Sequence, residues 1–154
     1  HGAAHAAAVR DNARALAAAL HGDDALTPED ELVLEIAALL HDVCDHKYCD
    51  PSTPAGSAAV AARDAVLARA APPGRTRHVL AIVDGVSFSK EKHGLLDLDA
   101  MEPRTRLLRN LVSDADKLEA IGAQGVRRCI EFRLERAAAT AGHAPESTEV
   151  DGGA

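Results

Sequence analysis

Aromatic side chains are almost missing: Phe88, Phe132 and Tyr48 make up 2% of the 154 residues, although 47% are hydrophobic. A core without large rings must be assembled from Leu, Ile, Val and many Ala. Ala-rich surfaces suit helices that lie close together, because Ala is the best helix former and adds little bulk. No stretch approaches the roughly 20 uncharged apolar residues that a membrane-crossing helix needs, so no membrane partner is expected. Cationic side chains are the minority, 17 against 24 acidic ones, for a net charge of −7. Nucleic-acid surfaces gather Lys and Arg into patches, so no nucleic-acid partner is expected either. An acidic protein that handles phosphates usually needs a metal to do so. The three cysteines, Cys44, Cys49 and Cys129, are odd in number and lack C-x-x-C spacing. They read as reduced thiols of an intracellular protein. The chain begins at His1 rather than Met and reads as a trimmed or processed piece, so a leader in the intact protein stays open. The cytoplasm is the expected location.

The length has room for one domain with one core, and the pattern along it is helical. Ala3 to about Leu20 reads as a helix closed by His21-Gly22. Thr27-Pro28-Glu29-Asp30 is a helix start, with Thr27 as cap, Pro28 at the first position and acidic residues at the positive end of the dipole. The segment Leu32 to Leu40 that follows is apolar nearly all round, which marks a buried central helix. A loop at residues 50–54 leads to a helix over about 55–71, which Pro72-Pro73-Gly74 ends. Thr76 is expected to cap the next helix, where Val79, Ile82, Val83 and Val86 recur at helical spacing. Residues 87–98 read as polar and irregular. A helix from about Pro103 carries Leu107, Leu108, Leu111 and Val112 and leads into Asp114-Ala115-Asp116. A last helix is expected over about 124–140. The tail from 142 to 154 is small, polar and acidic, and disorder is expected there. The fold class is therefore all-α, with a domain over residues 1–141.

Three features carry chemistry. His41-Asp42 closes the apolar helix, where a carboxylate at a buried helix end is costly unless a cation or hydrogen-bond donors compensate it. Adjacent ligands cannot share one helix face, but at a helix end they can converge on one ion. Asp114 and Asp116 place two carboxylates next to an apolar stretch. His1 and His5, spaced i,i+4, share a helix face. Each alone has an ordinary reading as a solvated or second-tier polar group. Two imidazoles and two carboxylates together make a mixed nitrogen–oxygen set suited to a six-coordinate ion rather than to a closed structural zinc site.

The order His5 … His41-Asp42 … Asp116 on helices resembles the HD-domain superfamily of metal-dependent phosphohydrolases. Ala37 to Tyr48 (AALLHDVCDHKY) resembles the "ALLHD…D.KY" segment of a small bacterial-type, nucleotide pyrophosphohydrolase-like subgroup. Val86 to Glu91 resembles that subgroup's "SFS" loop, and Asp114 to Gly125 its "DADRLDAIGAIG" signature. The resemblance spans about residues 1–132. Where the family has H-D-x-x-H-x-x-R-V, this chain has Gly2 and Ala8 in place of the acidic and basic residues, and Arg10 is the nearest arginine.

The resemblance implies a single helical HD domain. It implies a divalent ion, Mn²⁺ or Mg²⁺ first and Fe²⁺, Co²⁺ or Ni²⁺ next, held by His5, His41, Asp42 and Asp116. Asp45 would be the catalytic acid or base, and a turn-capping role is its plainer reading. Lys47 and Lys117 would hold phosphate oxygens of a small nucleotide substrate. His46, His78 and His93 do not match a two-metal pattern, and Lys90-Glu91-Lys92 reads as a charged loop at the pocket rim. The implied reaction is nucleoside triphosphate to monophosphate plus pyrophosphate. A 5′-nucleotidase and a non-catalytic metal-binding regulatory domain are the alternatives. The oligomeric state is not legible.

Overall fold

Helix α2 (Pro28–Leu40) is the element on which the others are laid. Val33, Leu34, Ile36, Ala37, Ala38 and Leu40 on it are all buried, so it needs cover on several sides, and α1 (Ala3–Ala18) and α4 (Thr76–Gly85) pack against it. The computed structural model describes residues 2–44, 49–122, 125–127, 129–131 and 133–134, and the backbone alone at 88 and 89. Its other elements are a 3₁₀ turn at Gly22–Asp24, α3 (Pro54–Ala70), a short α5 (Phe88–Lys92) and α6 (Pro103–Ile121). Among the described residues there is no strand, as the all-α reading requires. The chain contacts group into two units, His1–Glu119 and Ala120–Ala154. Within the second, residues 125–127, 129–131 and 133–134 are helical.

The core of the first unit is aliphatic. Val9 and Ala13 of α1, Leu67 of α3, Val79, Ile82 and Val83 of α4, and Leu108, Leu111, Val112 and Ala115 of α6 join the α2 residues in one cluster. On α1 the buried positions are His5, Val9 and Ala13, four apart. That is one inward stripe of a helix, and it makes His5 a core position by register.

The starts of α2, α4 and α6 are tied to one carboxylate. Thr27 caps α2 by accepting from the Asp30 backbone N–H at 3.2 Å, and Asp30 Oδ2 accepts from the Thr27 N–H at 3.3 Å and its hydroxyl at 2.7 Å. This is a capping box, which satisfies helix-end donors reciprocally. Arg75, just before α4, and Arg104, at the start of α6, also donate to Asp30. Arg104 reaches on to the carbonyls of Asp24 and Ala25. Burial alone pushes the Asp30 carboxyl up, but the hydrogen bonds from Thr27 and Arg104 outweigh it, and the net shift is downward from the ordinary 3.8.

Three local expectations are corrected. Thr76 is the first helical residue rather than the cap: Arg75 occupies the cap position without a side-chain bond, its guanidinium being committed to Asp30 and Glu29. Residues 88–92 form α5 within the stretch read as irregular. The Glu91 N–H donates to the Ser87 carbonyl at 2.9 Å, and the turn ends at Gly94 with φ +65. A five-residue helix has too little length to show an apolar period. Finally, α6 does not stop before Asp114 but continues to Ile121. Ala115 is buried while Asp114 turns outward to Lys117 at 3.7 Å, so the two aspartates lie on different sides of one helix. The expected helix over 124–140 is described only at the residues given above, and residues 135–154, the tail among them, lie outside the described ones.

Removing the Asp30 carboxylate takes the shared acidic partner from two guanidinium groups, and Asp30→Ala should lower unfolding free energy by about 3 kcal/mol in urea. Because the folded-state pKa is lowered, this contribution is complete above the unfolded value near 4 and is lost as pH falls through the folded value. The stability difference between wild type and variant should therefore shrink in acid. A difference that stays constant down to about pH 2 would remove the charge from the explanation.

Candidate metal centre

Three helices deliver one cluster. His5 comes from the inward stripe of α1 and is 6% exposed. His41 is the residue that ends α2, four positions after Ala37 and three after Ala38, so it extends that helix's buried side and is 4% exposed. Asp116 follows buried Val112 by four residues on α6. One ligand atom from each of His5, His41 and Asp116 lies within 4.8 Å of the other two. Asp42, in the turn after α2, places Oδ2 3.5 Å from His5 Nε2 and 3.4 Å from His41 Nε2. Asp116 Oδ1 lies 3.3 Å from His5 Nε2 and 3.8 Å from His41 Nε2.

One hydrogen bond fixes the chemical character of His41. Its Nδ1 faces the Ala38 carbonyl at 2.8 Å, and a carbonyl can only accept, so the proton sits on Nδ1. In the neutral ring Nε2 is then a bare lone pair. That Nε2 is buried with no hydrogen-bond partner and points at the carboxylates. A backbone carbonyl that holds the far ring nitrogen is the usual support of a metal-ligating histidine. The rings of His5 and His41 meet edge to face, with centroids 5.2 Å apart and planes at 64°, which lets both present nitrogen to one point.

The donor set fits a cation. Ligand atoms about 2.1 Å from an octahedral ion stand about 3.0 Å apart when adjacent and about 4.2 Å apart when opposite. The four imidazole–carboxylate separations, 3.3 to 3.8 Å, fall between these limits. His5, His41 and Asp116 could hold a metal ion, and Asp42 Oδ2 lies beside them, near both imidazoles but outside the group whose ligand atoms all fall within 4.8 Å. The imidazoles form the floor, while the side chains of Asp42 and Asp116 are 30% and 36% exposed. A site of this kind keeps positions open to solvent, unlike the closed shell of a structural zinc site.

A cavity of about 80 Å³ opens beside the cluster, lined by His41, Cys44, Val83, Asp84, Val86, Ser87 and Lys90. Lys90 Nζ donates to the Asp84 carbonyl at 3.2 Å, which holds its charge at the rim. The wall is braced from behind. Arg109, buried on α6, donates to the Gly85 carbonyl at 2.9 Å and to Glu91 at 3.1 Å. The bond from Arg109 also holds the Glu91 carboxyl below its ordinary range. Burial, and then a hydrogen bond to Cys49, push the Cys44 thiol up.

The other residues singled out from the sequence are placed less simply. Lys117 is paired with Glu91 at 3.5 Å and Asp114 at 3.7 Å. Arg10, the nearest arginine to the vacant family position, donates to Asp11. His1, Asp45, His46 and Lys47 lie outside the described residues. Sequence reasoning placed Lys90 only in a charged loop at a rim. What it missed was that α5 lifts Lys90 into the same cavity as His41. The signal available for that was the adjacency of the Val86–Glu91 segment to an amphipathic helix.

A cation that binds the folded chain and not the unfolded one stabilises it by about 2.7 kcal/mol at 100 times its dissociation constant. Mn²⁺ should therefore raise the melting temperature of the wild type. Asp116→Ala should abolish that rise, with one equivalent less metal retained after gel filtration. Asp42→Ala decides the fourth donor: retained stoichiometry at unchanged affinity would confine the ligand set to His5, His41 and Asp116.

Comparison with protein families, with curated proteins and with solved structures finds no match for this chain.

Proposed function

We propose that the chain is a metal-dependent phosphohydrolase acting on small nucleotides, cutting a nucleoside triphosphate to monophosphate and pyrophosphate. The observation that carries this reading is the grouping of His5, His41 and Asp116 around one point, with Asp42 Oδ2 close to both imidazoles, so that two buried imidazoles lie below two part-exposed carboxylates. The motif resemblance orders the same four residues as ligands, and the cavity beside them has the polar rim that a phosphate chain needs.

A divalent ion bound there would supply charge neutralisation at a phosphoryl group and a water of lowered pKa. His41 is kept in one tautomer by Ala38, so its Nε2 stays available as a donor atom. Lys90, half-buried over the cavity, supplies a cation that can donate to phosphate oxygens. Ser87, in the same wall, adds a hydroxyl. Lys117 spends its charge on Glu91 and Asp114, so Lys90 replaces it as the favoured phosphate contact on this side. Lys47 keeps its assignment from the sequence. Asp45 is the proposed general acid or base, three residues past Asp42. The metal in this reading is Mn²⁺ or Mg²⁺, as hard donors and open positions favour.

Two measurements test the reading. A nucleotide panel in Mn²⁺, analysed by phosphorus NMR, should give monophosphate and pyrophosphate with little free phosphate. Release of nucleoside and phosphate from monophosphates would replace it with a 5′-nucleotidase, and bound metal without turnover would leave a regulatory metal-binding domain. In the active enzyme Asp45→Asn should keep its metal while kcat falls by about 10²–10⁴-fold. Lys90→Ala, which removes one charge-assisted hydrogen bond, should raise KM by about tenfold with metal content unchanged. An unaltered KM would take Lys90 out of substrate binding.

A further inference from the structure

Helix α5 carries Lys90 to the cavity, yet it is too short to hold itself in place. Isolated helices below about 12 residues are marginal in water, and α5 spans only Phe88–Lys92. Val86 and Ser87 join it to α4 on one side. On the other it runs into residues 93–102, most of them exposed, before α6 begins. Its seat depends on bonds to the neighbouring helices.

Those bonds leave from two adjacent residues in different directions. Lys90 Nζ donates to the Asp84 carbonyl of α4 at 3.2 Å. Glu91 Oε2 accepts from Arg109 at 3.1 Å and from Lys117 at 3.5 Å, both on α6. The two cations are unequal partners. The Arg109 side chain is 3% exposed and that of Lys117 is 44% exposed, and exposed ion pairs are screened and contribute little. Arg109 is itself fixed, because Nε donates to the Gly85 carbonyl at 2.9 Å and Nη1 to Asn110 at 3.2 Å. With 3.6 residues per turn, successive side chains project about 100° apart. Turning Glu91 toward α6 therefore decides which way Lys90 projects. Lys90 lines the cavity with His41, Val83 and Ser87, and Glu91 does not line it.

We propose that Glu91 is a positioning residue for Lys90: its carboxylate, held by Arg109, seats α5 against α6 and so fixes the Lys90 cation over the cavity, where it meets a phosphate group. The phosphate contact rests on the phosphohydrolase reading, whereas the seating of α5 does not, and each is measured separately. Glu91 acts through Lys90 and touches no substrate atom itself.

The test uses the full chain and compares Glu91→Ala, Glu91→Gln, Lys90→Ala and the Lys90→Ala/Glu91→Ala double variant. The first readout is hydrogen exchange at the Gly94 and Leu95 amides, which donate to the Glu91 and Lys90 carbonyls at 3.1 and 2.9 Å. Glu91→Ala should speed exchange there by about tenfold and leave α1 and α2 unchanged. Glu91→Gln keeps a side-chain oxygen for Arg109 and should stay within about threefold of wild type. Unchanged exchange in Glu91→Ala would overturn the seating, and so would equal acceleration throughout the chain, which marks general destabilisation.

The second readout is the affinity of the Mg²⁺-loaded chain for inorganic pyrophosphate, measured by calorimetry. Glu91→Ala should weaken it by about five- to tenfold with bound metal unchanged. In the Lys90→Ala background the same substitution should add nothing, because residues that act as one unit are not additive. Full additivity in the double variant would overturn the positioning role. A wild type that binds no pyrophosphate would sink the phosphohydrolase reading and the phosphate contact with it, while exchange still decides the seating.

Discussion

Because α2 buries six aliphatic side chains around most of its circumference, the rest of the first unit is arranged to keep water from it. Helices α1 and α4 lie against it, and α6 adds Leu108, Leu111, Val112 and Ala115 to the same cluster. With so few rings available, each contact is made by small or branched side chains. Such packing brings helix backbones close, and close backbones let short side chains meet. That is what allows an imidazole from α1, an imidazole from the end of α2 and a carboxylate from α6 to share a space only 4.8 Å across.

The two ends of α2 do different work. At its start, Asp30 gathers Thr27, Arg75 and Arg104, so one buried carboxylate sets the relative starts of α2, α4 and α6. Both oxygens of that carboxylate accept hydrogen bonds, and its role is positional. At the far end, His41 is held by Ala38 through Nδ1 while Nε2 is left bare among carboxylates. Burying a lone-pair acceptor without a donor is costly, and acceptors that face one another repel. A cation resolves both costs at once. The contrast between a satisfied buried polar group and one awaiting a partner is what separates scaffold from candidate site in this molecule.

The wall beside the cluster shows how a short element escapes sequence reading yet shapes the site. Helix α5 has five residues, too few for a period, and it is stabilised by tertiary bonds instead. Glu91 on it is fixed by Arg109, whose guanidinium also holds the end of α4 through the Gly85 carbonyl. A Cβ at Gly85 would stand 3.1 Å from the Arg109 side chain, so glycine there is what lets the arginine pass. The result presents Lys90 toward the cavity and consumes Lys117 in a surface network.

What the sequence alone determined was local. The cap at Thr27, the breaks at Gly22 and Pro72-Pro73-Gly74, and the apolar run of α2 follow from side-chain chemistry within a few residues, and the all-α class follows from them. The grouping of His5, His41 and Asp116 was legible through the motif resemblance, and helical register agrees with it, with His5 on the stripe of Val9 and Ala13 and His41 at the end of a buried helix. Tertiary structure decided what register cannot express. It put Asp114 and Asp116 on different sides of α6, capped α3 with Thr53, and brought Lys90 to the cavity while pairing Lys117 with Glu91 and Asp114. Each of these depends on contacts between residues distant in sequence or on a few degrees of backbone rotation. Hydrophobic periodicity records only which side of a helix is buried, and does not record which polar atoms meet once it is.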